Sequence, residues 1–207
     1  SQWNQQNIIG SPIRVRVRGM DSNANGYPGY REGKNRDGAN MDVVAELRNP
    51  QTLQGQRYDA LVITENHNIP LEGEDTVRYM RHYHERLIEG NPTATTYVYQ
   101  AWQSFKNAND PSPWIAYERA ATPVWQCLAQ RLNTSLAHEG RADRTQYLPA
   151  GPALATLVER ATQGRVEGVS GASPAETMSR LFVDDVHLTG LGAYYISLVT
   201  YASVFKA

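Results

Sequence analysis

The chain has 207 residues, 41% of them hydrophobic and 20% charged, enough for one domain with its own core. Its 20 basic residues stand against 21 acidic ones, a net charge of −1, which offers no basic surface to nucleic acid or a polyanion. Cys127 is the lone cysteine, so an intrachain disulfide is excluded, and no apolar run reaches the ~20 residues of a membrane helix.

In chain order, the first regular signal is Ile13-Arg14-Val15-Arg16-Val17-Arg18. Its strict alternation predicts a strand with one buried and one wet face, at a sheet edge. Residues 20–37 are turn chemistry (Asp21, Asn23, Gly26, Pro28, Gly29, Gly33), a long polar loop of the kind that is often functional. Residues 40–47 predict a short helix. Residues 59–64, with Ala60-Leu61-Val62-Ile63 at their centre, are a continuous apolar run and predict a strand covered on both faces. Residues 74–89 predict a helix with Val77, Met80, Tyr83 and Leu87 on one stripe and Gly90 as its stop. Residues 95–102 are rich in β-branched and aromatic side chains and predict a second buried strand.

Residues 114–138 predict a helix with Trp125, Leu128, Leu132 and Leu136 in register and Pro123 as a kink or break. Cys127 reads there as a small buried hydrophobe, and His138 as a C-terminal residue favoured by the helix dipole. Tyr147-Leu148-Pro149 marks a short strand. Residues 152–163 form a helix with Pro152 near its start and Gly164 past its end. Ser173-Pro174-Ala175-Glu176 is a capping box for another short helix, and residues 191–205 close the chain as a largely apolar helix. This alternation of strands and helices predicts a single α/β domain over residues 1–207 with a short, mostly parallel sheet.

The residues with chemistry cluster late. Asp184 stands three positions before His187, just ahead of the last helix. That spacing puts a carboxylate and an imidazole on one side of a turn. Acyl transfer needs such a pair: a neutral ring to take a proton, and a carboxylate to hold the ring and stabilise the cation. The same spacing also suits a helix N-terminus, with Asp184 or Asp185 as the cap and His187 exposed. His82 and His84 are two apart, on different faces of a helix, and without a third ligand they read as solvated surface rather than a metal site. His67 reads as a loop histidine. The glycines of residues 26–38 precede no Gly-Lys-Ser/Thr and make no phosphate loop.

The block DDVHLTGLGAYYISLVTYASVF resembles the terminal block of the SGNH (GDSL-type) ester hydrolases, where Asp-x-x-His precedes the last helix. YDALVITENHNIPL resembles the family's Gly-x-Asn-Asp block, with Thr64 where glycine usually stands, and NPTATTYVYQAWQSF and YLPAGPAL follow in family order. The resemblance runs over residues 58–205. It implies a three-layer α/β/α fold of flavodoxin-like strand order, 2-1-3-4-5, with ligands at the carboxyl ends of the strands. It implies His187 as general base and then acid, Asp184 as its orienter, and Asn66, with Asn68 as the fallback, as an oxyanion donor. Trp102 falls at the same rim, lining an acyl or sugar pocket or else filling the core, with Tyr27, Tyr30 and Trp114 as further rim aromatics.

The family's nucleophilic serine follows the first strand. Gly19-Met20-Asp21-Ser22 is the nearest match, which makes Ser22 the nucleophile and Gly19 an oxyanion N–H. Residues 13–18 would then be central, placing three arginines under helices, where unpaired charge costs several kcal/mol each. The other reading keeps that strand at the edge, gives the second oxyanion position to Gly19 or Gly26, and puts the serine upstream of Ser1. The implied activity is hydrolysis of a carboxylic ester through a serine acyl-enzyme, a carbohydrate O-acetyl ester favoured over a long lipid. No metal and no organic cofactor is implied. Two other functions suit the same residues: an acyltransferase using this site, and a binding or scaffold protein that kept the fold without the nucleophile. The expected partner is a small-molecule or carbohydrate ester rather than nucleic acid. The periplasm or secretion is favoured over the cytoplasm, and the oligomeric state is left open.

Overall fold

The computed structural model describes residues 33–34, 40–51, 53, 55–64 and 73–206. The strand expected at residues 13–18 and most of the loop at 20–37 lie outside them. Among the described residues two short strands come first, β1 (Gly33–Lys34) and β2 (Asn40–Met41), paired antiparallel with Gly33 opposite Met41. They take ground expected as loop and as the start of a helix. The helix itself, α1 (Val43–Arg48), begins only after Asp42, whose carboxylate accepts the Ala45 N–H at 3.0 Å as an N-cap.

β3 (Ala60–Ile63), α2 (Gly73–Gly90), β4 (Thr95–Tyr99), α3 (Ser112–His138) and β5 (Thr145–Leu148) then alternate. The strands form one open sheet in the order β3-β4-β5, with β3 and β4 parallel and Ala60 opposite Thr95. Parallel neighbours need a long crossover, which α2 and α3 supply. α4 (Ala150–Thr162), α5 (Pro174–Leu181) and α6 (Gly190–Phe205) complete the chain. The architecture is α/β with a small three-stranded parallel sheet.

Packing gathers the described residues into two compact units: those up to residue 64 with 73–98 and 128–146, and residues 99–127 with 147–206. In the first, Val43, Val44 and Leu47 of α1 meet Tyr83 and Leu87 of α2, with Leu61 and Ile63 of β3 packed against them. Gly90 permits this contact, because a Cβ there would stand 2.1 Å from the Leu47 carbonyl oxygen. α2 ends at Gly90, as expected, and the glycine there serves close approach without taking the left-handed conformation. Gly164, past α4, does take that conformation, with φ +74.

In the second unit, α4 buries Leu154, Ala155, Leu157 and Val158, and α5 buries Met178 and Leu181. The expected capping box is half met. Ser173 Oγ accepts the Glu176 N–H at 3.2 Å, but the Glu176 carboxylate returns to the Ala172 N–H, one residue earlier than the motif prescribes. α6 carries no charged residue and leaves Leu191, Tyr194, Leu198, Tyr201 and Phe205 exposed. No described helix is long and apolar enough to cross a membrane.

Burial corrects four expectations. β3, expected to be covered on both faces, is half-buried along its whole length; it is β4 that is covered, at Thr96, Tyr97 and Val98. His84, expected at the surface, is fully buried, since it stands on the inward stripe between Met80 and Leu87. Cys127 is exposed, because Trp125 and Leu128 turn the inward face of α3 away from it. α3 also runs unbroken through Pro123, where the lost N–H bond falls on an exposed face that water can satisfy.

Candidate functional site

The segment after α5 doubles back on itself. Phe182 and Leu188 form an antiparallel bridge, and the Val183 N–H donates to the His187 carbonyl at 2.8 Å. Asp184 organises the turn so closed. Its Oδ1 accepts the backbone N–H of His187 at 2.6 Å and that of Val186 at 2.8 Å, while Oδ2 faces His187 Nδ1 at 2.6 Å. An ionised carboxylate only accepts, so Nδ1 carries a proton, and in the neutral ring Nε2 is the nitrogen left with a lone pair. The His187 N–H first, then the Val186 N–H and the imidazole, hold the Asp184 carboxyl down to about 2. Both side chains are open to solvent, His187 at 70% and Asp184 at 49%. The helix cap that Asp184 or Asp185 was alternatively expected to supply is Thr189, whose Oγ1 accepts the Gly192 N–H at 3.3 Å.

Two hydrogen bonds tie this turn to the loop that leaves β4. Trp102 Nε1–H donates to the Val186 carbonyl at 2.8 Å, and the Phe105 N–H donates to the Asp185 carbonyl at 2.9 Å. Phe182 stands edge-on to Phe105 and to Trp114, with ring centroids 5.2 and 5.8 Å apart. The turn that carries the pair is therefore docked on the loop that follows β4 in the chain.

The loop has its own support. Glu118 of α3 is 1% exposed, and its Oε1 accepts the Gln103 N–H at 2.7 Å. Burial pushes its carboxyl up to about 7, against the hydrogen bonds from Gln103 and Gln100. Gln100, also buried, donates to the Glu118 carbonyl at 3.0 Å and accepts from the Tyr147 hydroxyl. Trp114, expected at the rim, is 5% exposed, and its Nε1–H donates to the Gln103 carbonyl at 2.7 Å. A Cβ on Gly151 would stand 2.7 Å from Glu118 Oε2 and 3.0 Å from the Ala101 carbonyl, so any larger residue would press on the carboxyl.

Of the expected site residues, Asp184, His187 and Trp102 are brought together. Ser22, Gly19 and Asn66, like Asn68, Gly26, His67, Tyr27 and Tyr30, lie outside the described residues. Sequence reasoning missed Glu118 and Gln100. Glu118 nevertheless carries a signal, since it sits on the inward stripe between Trp114 and Trp125, where a carboxylate has to be buried.

The first unit holds a second carboxylate–histidine pair. His84 Nε2 stands 2.6 Å from Asp143 Oδ2, and Nδ1 stands 2.9 Å from Thr96 Oγ1. Burial lowers the His84 pKa against the pull of Asp143, so the ring is neutral, donating to Asp143 and accepting from the Thr96 hydroxyl. These are the group types of a hydrolytic triad, yet His84 and Thr96 are both 0% exposed and no substrate reaches them. The cluster is structural. Among the described residues no group of His, Cys, Asp and Glu could hold a metal ion. No family model, curated protein or solved structure matches the chain.

Proposed function

We propose that the chain is an ester hydrolase of the SGNH type, with His187 as general base and then acid and Asp184 as its orienter. One observation carries the reading: the two side chains, 2.6 Å apart and solvent-open, are docked on the loop that follows β4. The order β3-β4-β5 is also that of the last three strands in the 2-1-3-4-5 sheet of a three-layer, flavodoxin-like fold. His187 Nε2 takes the proton of a serine hydroxyl as its oxygen attacks the ester carbonyl. The imidazolium, stabilised by Asp184, then protonates the leaving alcohol, and water repeats the cycle on the acyl-enzyme. Ser22 as nucleophile, Asn66 and Gly19 as oxyanion donors, and Trp102 as the wall of a pocket for a short acyl or sugar group rest on the family resemblance.

Hydrolysis of p-nitrophenyl acetate tests the reading. Wild type turns over, and His187→Ala and Asp184→Asn each lose roughly 10³–10⁴-fold in kcat. A fluorophosphonate probe labels one serine, and the peptide carrying it is expected to contain Ser22. A protein that shows neither turnover nor a labelled serine sinks the proposal.

A further inference from the structure

We propose that Glu118 is the positioning residue of the Asp184–His187 pair, acting through Gln103 and the loop of residues 100–105. Only the kinetic arm of its test rests on the hydrolase reading. The pair is exposed, so its place is set from below. The two bonds from the loop end on backbone carbonyls, those of Val186 and Asp185, and the turn therefore follows the loop wherever the loop goes. The loop is irregular backbone, held at its start by Gln100, whose N–H donates to the Leu148 carbonyl and whose carbonyl accepts the Gly151 N–H. At its middle it is held by Gln103, which lies between Trp102 and Phe105, the two residues that reach the turn.

Gln103 is gripped through both backbone groups: its N–H by the Glu118 carboxyl at 2.7 Å and its carbonyl by the Trp114 indole at 2.7 Å. Its side-chain amide donates to the Tyr117 hydroxyl at 3.0 Å. All three partners come from the first turns of α3, and Glu118 is the one that is buried, polar and lodged against Gly151, where a Cβ would stand 2.7 Å from its Oε2. Its carboxyl is placed to fix the register of the loop, and with it the distance from His187 to whatever group it serves.

Glu118→Met keeps the volume and removes the acceptor; Glu118→Gln keeps an acceptor oxygen in place. In Glu118→Met, amide exchange at Phe105 and Val183 is expected to quicken about tenfold or more, while the Leu157 amide of α4 stays within about twofold. On p-nitrophenyl acetate, kcat falls about 10–100-fold with KM nearly unchanged, as for a small misplacement of the reacting groups. Glu118→Gln restores both. The idea is overturned if folded Glu118→Met keeps wild-type protection at Phe105 and Val183, or if Glu118→Gln is as impaired as Glu118→Met. Should Glu118→Met fail to fold, Glu118→Asp, which draws the carboxyl back by one methylene, is read in the same way. A wild type without ester turnover ends the hydrolase reading, and the exchange arm still decides the role of Glu118.

Discussion

Two histidines of this chain each face a carboxylate oxygen at 2.6 Å, and burial separates what they can do. His84 is sealed, and its neutral ring satisfies Asp143 and Thr96. His187 is open to solvent, and Asp184 holds its Nδ1. For His84 the folded pKa lies below the unfolded value, so its contribution is complete above about pH 6.5 and drains away as pH falls below it. His84→Gln should therefore flatten the loss of stability between pH 7 and pH 5, read from urea midpoints, whereas His84→Ala should cost about 1–3 kcal/mol by taking the acceptor from the buried Thr96 hydroxyl, Asp143 keeping its pair with Arg141 at 2.6 Å. Asp184→Asn presents an N–H to His187 Nδ1 and should move the ring proton to Nε2. Imidazole ¹⁵N shifts report that exchange of tautomers directly, and unchanged shifts would count against the assigned hydrogen bond.

At the scale of elements, backbone approaches decide what the helices tolerate. Gly90→Ala pushes a methyl into the Leu47 carbonyl and should cost about 1–3 kcal/mol, measured by thermal or urea unfolding. Glycine looks alike in a sequence whether it bends the chain or makes room for a neighbour, so Gly90 was legible as the end of α2 but not as the contact with α1. The helices were legible because Met80, Tyr83 and Leu87, or Trp125, Leu128 and Leu132, repeat at helical spacing. Asp184 with His187 was legible because the contact is local to one turn. Glu118 and His84 were missed: a polar residue at an apolar stripe position signals burial, but the partners that give it a role, Gln103 and Asp143, lie 15 and 59 residues away in the chain. Alternation and composition say which face is wet; they do not say which polar group has been granted a place inside.

For the whole molecule, the two units lean in opposite directions with acid. In the first, burial lowers His84 and takes His82 down to about 4, so protons favour the unfolded chain as pH drops from about 6.5. In the second, burial raises Glu118 from 4.5 to about 7, so the fold prefers the protonated carboxyl and its contribution is full in acid and lost as pH rises to about 7. That displacement is worth about 3 kcal/mol over the window. Acidifying from pH 7 to pH 5 should weaken amide protection in α2 while strengthening it in α4, and Glu118→Gln should abolish the gain. Parallel losses in both helices would contradict the assignment.

α6 has a consequence for handling the protein. Sixteen residues pass without a charge, and five large side chains of that helix look into water. Excluded salts such as sulfate raise the free energy of wetted hydrocarbon. The protein should accordingly bind phenyl resin at modest ammonium sulfate, and Tyr201→Lys should elute earlier along a falling-salt gradient.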